Sequence, residues 1–247
     1  MPGDIDVFMT VFDEPNAGAN WARLKAVHPQ ARLVEGVRGI FEAYGTCAQW
    51  AKSPCFFMVD ADNWILDGFR FTLDLEPAPD EVVFWYARNP VNGLAYAHGG
   101  IKLFQKALFD GATETRLGPD FSTTIGRQNR YVADCASEHR FNSDPYKTWS
   151  CAFREGSKLA LATVIGTAEE KELSTLRLRA WCGELRNRHF NAKAAYRAWS
   201  ERGAKDGGAF GRKYARDPKA FARINDYAWL RATYEKTFAG KTASGAG

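Results

Sequence analysis

Cys55-Phe56-Phe57-Met58-Val59-Asp60-Ala61-Asp62 runs five apolar residues straight into two carboxylates one residue apart. An unbroken apolar run of this kind suits a central parallel strand covered on both faces. Carboxylates at the end of such a strand need a reason, because desolvation and mutual repulsion both oppose them. A divalent cation with hard oxygen ligands supplies one, since it offsets both costs and can bridge to diphosphate oxygens. Two exposed turn or helix-capping aspartates are the plainer alternative.

Working outward, Ile5 to Phe12 is a second apolar run, broken by Asp13-Glu14-Pro15-Asn16, and reads as a buried strand ending in a polar turn. From about Asn20 to His28 the apolar spacing is helical, and Pro29 stops it. Ala31 to Val34 reads as a strand leading into Glu35-Gly36-Val37-Arg38-Gly39, and Ile40 to Ala51 as a helix. Strand, helix, strand, helix, strand predicts an α/β fold with a mostly parallel sheet, whose ligands bind beyond the carboxyl ends of the strands. Asp13, Glu14, Arg38, Asp60 and Asp62 all fall at those ends.

Downstream, Glu81 to Tyr86 and Gly100 to Phe104 are further strand candidates, Pro145 to Leu161 is a predicted helix, and the pattern turns more polar from Ser174. Gly203 to Gly211 reads as a mobile, glycine-rich segment that could close as a lid, and Asp217 to Phe238 as one closing helix. The expected organisation is a single catalytic domain over 1–238 with a helical C-terminal extension, followed by a flexible tail over 239–247.

At 247 residues with 45% hydrophobic and 25% charged, the chain can bury a sizeable core. Its five cysteines are an odd number without zinc or redox spacing and read as thiols of a reducing, cytoplasmic setting. No apolar stretch approaches the roughly 20 residues of a membrane span. A net charge of +4 does not by itself name nucleic acid as a partner, though it suits a polyanionic donor or acceptor.

Two more segments carry possible chemistry. Gly99-Gly100 precedes a short strand, where paired glycines let backbone approach a ligand closely or simply form a turn. Asp120 follows Gly118-Pro119 and by spacing alone is a helix cap.

Acidic pair, double glycine and later lone acid, in that order, resemble the GT-A class of glycosyltransferases. More narrowly the chain resembles the TET-associated glycosyltransferases, found mainly in phages. The resemblance rests on Phe12-Asp13-Glu14-Pro15-Asn16-Ala17 with Asn20-Trp21, Gly36-Val37-Arg38-Gly39-Ile40, Val59-Asp60-Ala61-Asp62-Asn63-Trp64-Ile65 and His98-Gly99-Gly100-Ile101-Lys102-Leu103-Phe104. Arg140-Phe141-Asn142-Ser143-Asp144-Pro145 and Ile224-Asn225-Asp226-Tyr227 extend it over most of the chain, while residues 183 to 211 fit it less well.

The resemblance implies transfer of a sugar from a nucleotide diphosphate, such as a UDP sugar, to the hydroxymethyl group of 5-hydroxymethylcytosine in DNA. Asp60 and Asp62 would hold Mn2+ or Mg2+ against the diphosphate, with His189 a candidate third ligand or a surface residue. Gly99 and Gly100 would lie under the donor sugar, and Asp13, Glu14 and Arg38 would contact the nucleotide. Asp120 would be the base of an inverting transfer, and His98 would orient donor or acceptor hydroxyls or serve as a structural histidine. For DNA, the C-terminal set Lys205, Arg212, Lys213, Arg216, Lys219 and Arg223 offers phosphate contacts, or a solvated helix face. The alternatives are a polysaccharide or protein acceptor, a nucleotidyltransferase, and a non-catalytic DNA-binding module.

Overall fold

A computed structural model describes residues 5–72, 76–97, 99–113 and 121–239, with only the backbone described at Phe121. The chain folds as two compact units, one of residues 1–89 and 95–140, the other of residues 90–94 and 141–247. His98, Asp120 and residues 240–247 of the expected tail lie outside the described residues.

The first unit is built on β1 (Asp6–Val11), α1 (Ala17–Val27), β2 (Arg32–Glu35), α2 (Ile40–Trp50) and β3 (Cys55–Asp60). It continues with β4 (Asn63–Ile65), β5 (Glu81–Arg88), β6 (Ala95–Tyr96), β7 (Ile101–Gln105), the short α3 (Phe121–Thr124) and β8 (Gln128–His139). Its eight-stranded sheet has the order β2-β1-β3-β7-β5-β8-β4, with β6 on β5. β1 pairs in parallel with β2 and β3, and β5 with β8, while β7 lies antiparallel between β3 and β5. The strands β1, β2, β3, β5 and β8 therefore run the same way. The α/β class and the mostly parallel sheet match the sequence expectation.

Alternation along the central strands divides the core into two layers. Val7, Met9, Phe57 and Val59 face one way and cluster with Leu24 of α1, whereas Phe8, Phe56 and Met58 face the other and cluster with Tyr44, Cys47 and Ala48 of α2. Burial of β3 on both faces explains its unbroken apolar run. β8 escapes a sequence reading because Gln128 to His139 is largely polar and exposed along its first half, so its period-2 signal is weak.

The second unit is helical, with α4 (Pro145–Ile165), α5 (Ala168–Trp181), α6 (Arg197–Lys213), α7 (Pro218–Phe221) and α8 (Tyr227–Phe238). Asp144 caps α4 by accepting from the Lys147 amide, and Pro145 occupies the first turn, where its missing N–H costs nothing. The expected single closing helix is broken. Asp217 caps α7 and Asp226 caps α8, so a second N-cap restarts the helix after a 3-10 turn over Ala222–Asn225.

The glycine-rich stretch is also corrected: Gly203 to Gly211 lies inside α6, not in a loop. The reason is close packing. A Cβ at Gly203, Gly207 or Gly211 would collide with the backbone carbonyl of Trp149, Phe153 or Ser157 on α4. These three positions, four residues apart, form one stripe on which α4 and α6 meet almost backbone to backbone. Gly207→Ala is accordingly expected to destabilise the fold by about 1–3 kcal/mol, because overpacking against a backbone outweighs the alanine's gain in helix propensity of about 1 kcal/mol. Gly18→Ala in α1, where nothing lies within 4 Å of the added methyl, is expected to stabilise by about 0.5–1 kcal/mol. Denaturant unfolding of both variants checks the contrast, and equal effects would overturn this account of α6.

Candidate functional site at the carboxyl end of the central strands

The register Thr10↔Asp60 and Val11↔Glu35 brings the ends of β1, β2 and β3 level. Asp13 and Glu14 follow β1, Arg38 follows β2, and Asp60 and Asp62 close β3, so the first unit gathers all five at one sheet edge. Asp13 and Arg38 are exposed, the latter in a loop whose Gly36 and Gly39 have φ of 72° and 96°. Glu14 accepts from the Phe12 amide at 2.9 Å. Burial, reinforced by the charges of Asp62 and Asp13, pushes its carboxyl above the usual range despite that bond.

The two aspartates are held by different partners. Asp60 accepts from the Lys102 ammonium at 2.9 and 3.1 Å and from the Tyr44 hydroxyl, and Lys102 also donates to Tyr44 at 2.6 Å. Lys102 is only 3% exposed. It sits in β7 opposite Met58, which places its long side chain beside the end of β3. Burial, and then the Asp60 charge, pushes the Tyr44 phenol well above its ordinary value, so it remains a donor.

Asp62 contacts His139 Nε2 at 2.9 Å and accepts from the Asn63 amide at 2.8 Å. Burial drives its carboxyl up. The His139 charge and hydrogen bond, the Lys102 charge and the Asn63 amide outweigh that and hold it below the usual range. The side chains of Asp60 and Asp62 are 30% and 29% exposed, leaving charged oxygens open to a ligand.

The turn between them is fixed from beneath. Buried Asn20 donates to the Ala61 carbonyl at 2.7 Å, Arg140 N–H donates to the Asp62 carbonyl at 2.6 Å, and Ser137 donates to Asn63 Oδ1 at 2.9 Å. Gly100 serves the same turn. Its carbonyl accepts from the Asp60 amide at 2.9 Å, and a Cβ there would collide with the Asn63 side chain. Gly99 has φ of 80°, which only glycine adopts readily.

The residues that anchor the pair, namely Tyr44, Lys102, His139, Asn63 and Asn20, were not assigned to the site by their sequence pattern. A usable signal was present in one of them. A lysine within Ile101-Lys102-Leu103-Phe104 interrupts a buried strand, and a buried ammonium demands a counter-charge. His189 belongs to the second unit, where it is exposed and its Nε2 accepts from Arg188 Nε at 3.1 Å.

Among the described residues, no group of three His, Cys, Asp or Glu side chains is arranged to hold a metal on its own. The chemistry of the pair nonetheless fits a hard cation. Ions such as Mg2+ are commonly held by one or two carboxylates, with substrate phosphates and water completing the shell. Asp62 is the less encumbered of the two, since each of its oxygens meets a single neighbour, the Asn63 amide or His139, whereas the Lys102 ammonium spans both Asp60 oxygens and Tyr44 donates to one of them as well.

Compared with known proteins, the chain matches no family model and no curated protein. Among solved structures, it is similar to a mannosyltransferase from Pyrobaculum calidifontis in complex with GDP-Man and Mn2+, at 16% identity and a TM-score of 0.47, over 97% of this chain and 81% of that one. It is also similar to a putative glucose-1-phosphate thymidylyltransferase from Bacillus anthracis in complex with a sucrose, at 16% identity and a TM-score of 0.30, over 50% of this chain and 67% of that one. Likenesses this distant carry no argument about the chemistry of this chain. Among the described residues, no helix is long and apolar enough to cross a membrane.

Proposed function

We propose that the protein is a metal-dependent glycosyltransferase of GT-A type that moves a sugar from a nucleotide diphosphate, most simply a UDP sugar, to the hydroxymethyl group of 5-hydroxymethylcytosine in DNA. The observation that carries the donor half is the rigid, partly exposed acidic turn of Asp60 and Asp62 at the carboxyl end of the central strands. The acceptor rests on the sequence resemblance.

In this reading Mn2+ or Mg2+, when bound, would supply positive charge against the departing nucleoside diphosphate. Asp62 would hold the ion. Asp60, fixed by Lys102 and Tyr44, would accept from donor hydroxyls. Arg38 and Asp13, exposed at the neighbouring strand ends, reach the nucleotide, with Arg38 available for phosphate or base stacking. Gly99 and Gly100 let this backbone lie close against the Lys102 and Asn63 side chains that hold the turn.

Asp120, with His98 orienting hydroxyls, is the proposed base. A hydroxymethyl group is a poor nucleophile until a positioned carboxylate takes its proton in the transition state. Asp120→Asn is expected to bind donor and metal normally yet transfer about 10²–10⁴ more slowly. Retained anomeric configuration in the product, read from sugar proton couplings, would remove Asp120 from this role.

The decisive experiment is mass spectrometry of nucleosides from hydroxymethylcytosine DNA incubated with the protein, Mn2+ and a panel of nucleotide sugars, alongside polysaccharide acceptors. A hexosyl-hydroxymethylcytidine is the expected product. Transfer only to polysaccharide, or neither hydrolysis nor transfer with any donor of the panel, would overturn the assignment.

A further inference from the structure

The second unit contains a cavity of about 280 Å³ lined by Thr163 of α4, Thr175, Leu178 and Arg179 of α5, Cys182 and Glu184 just beyond it, and Ala204, Lys205, Gly208 and Arg212 of α6. Buried Leu178 and Ala204 contribute apolar surface, and two hydroxyls, a thiol and three cationic side chains contribute the rest. One carboxylate, Glu184, opposes the three cations, and it lies 3.6 Å from Arg179. Lys205 and Arg212 form no ion pair with any described residue, and both charges are felt at the Cys182 thiol.

Lys205 and Arg212 are exposed on α6, and capping of the neighbouring helix end does not account for their position. Basic side chains often gather at a helix C-terminus to satisfy its last carbonyls. Here the backbone does that. The Leu178 carbonyl accepts from Cys182, that of Arg179 from Glu184, and that of Ala180 from Gly183, whose φ of 76° makes the turn. Packing does not explain Gly208 either. Unlike Gly203, Gly207 and Gly211, it faces no backbone, and an added methyl would rest at ordinary contact distance, 3.5 Å from Leu178 Cδ1 and 3.6 Å from Arg212 Nη1. A glycine that α6 does not need for close packing thus leaves space beneath the Arg212 guanidinium.

We propose that this cavity is an anion site that takes a phosphate group, with Lys205 and Arg212 as its charged donors; the Thr163 and Thr175 hydroxyls on its wall already donate to the Ala160 and Lys171 carbonyls of their own helices. The cavity, at about 280 Å³, has room for a phosphate group. Arg supplies a planar pair of donors matched to phosphate oxygens, and Lys adds a point charge. The phosphate can come from a free phosphate compound or from a nucleic-acid backbone. The site does not depend on the glycosyl-transfer reading, because its residues belong to the second unit and none belongs to the acidic turn.

Calorimetric titration of the full chain with inorganic pyrophosphate and with an unmodified single-stranded oligonucleotide, both in chelator, tests the site. Lys205→Gln with Arg212→Gln is expected to weaken binding at least tenfold, and Gly208→Ala, which fills the space beneath Arg212, at least threefold. Circular dichroism and the thermal midpoint confirm that each variant is folded. Loss of pyrophosphate binding alone assigns the site to a free phosphate compound. Loss of oligonucleotide binding, with a shallower salt dependence, assigns it to a backbone phosphate. Wild-type affinity for both probes in the folded variants, or no binding of either probe to the wild type, overturns the proposal.

Discussion

Asp62→Asn is expected to abolish metal-dependent binding of a UDP sugar, with a loss of more than about 100-fold, while leaving the fold intact. Changing even an outer partner of a ligand typically costs 10–100-fold in metal affinity, so removing the ligand's charge should exceed that. The substitution is otherwise mild. Asn keeps the shape of Asp, its carbonyl can still accept from Asn63, and its amide can donate to His139, the two contacts that hold the side chain in place. Calorimetry with and without chelator separates the outcomes. Donor affinity that is the same in the variant, or that does not respond to chelator in the wild type, would remove the basis for a metal at this turn and with it the proposed donor site.

Lys102→Met tests the other half of the pair and carries the second large effect. The methionine fills nearly the same space without the charge, so Asp60 loses the ammonium that now engages both its oxygens and keeps only the Tyr44 hydroxyl. Breaking a buried ion pair from one side costs about 3–5 kcal/mol, and the 30% exposure of Asp60 argues for the lower end of that range. The binding consequence runs the other way. With Lys102 present, one of the two aspartates is already neutralised, and a cation gains little from it until a diphosphate adds oxygens of its own. Without Lys102 the turn becomes more negative by one charge, and Mn2+ is expected to bind at least tenfold more tightly in the absence of donor. The electron paramagnetic resonance signal of free Mn2+ reads this directly. Unchanged Mn2+ affinity in a folded Lys102→Met protein would show that Lys102 is a structural cation with no hold on the acidic turn.

The elements most legible in the chain were those whose local chemistry has one solution. Ile5 to Phe12 and Cys55 to Val59 are apolar enough that only burial on both faces suits them, and they became β1 and β3, each within a residue or so of the expected ends. The acids following them could be placed at one sheet edge without knowing any contact, because parallel strands joined by helices must end on the same side. Residues whose role depends on what lies opposite were not legible. Glycine is read locally as freedom, so Gly203 to Gly211 looked like a loop, yet three of its glycines answer to carbonyls on α4 some fifty residues away in sequence.

Lys102 and His139 are the clearest cases. The composition of the chain around each says only that a charged or polar side chain stands in or at the end of a strand. It is the antiparallel insertion of β7 beside β3, and the pairing of Asn63 on β4 with His139 on β8, that give Lys102 to Asp60 and His139 to Asp62. The sequence by itself determined where the two carboxylates stand, because a strand's apolar run and its end are local properties. Only the tertiary structure decided that the two are unequal, because the charges that hold them come from other strands, and a Coulomb interaction depends on distance in space rather than along the chain.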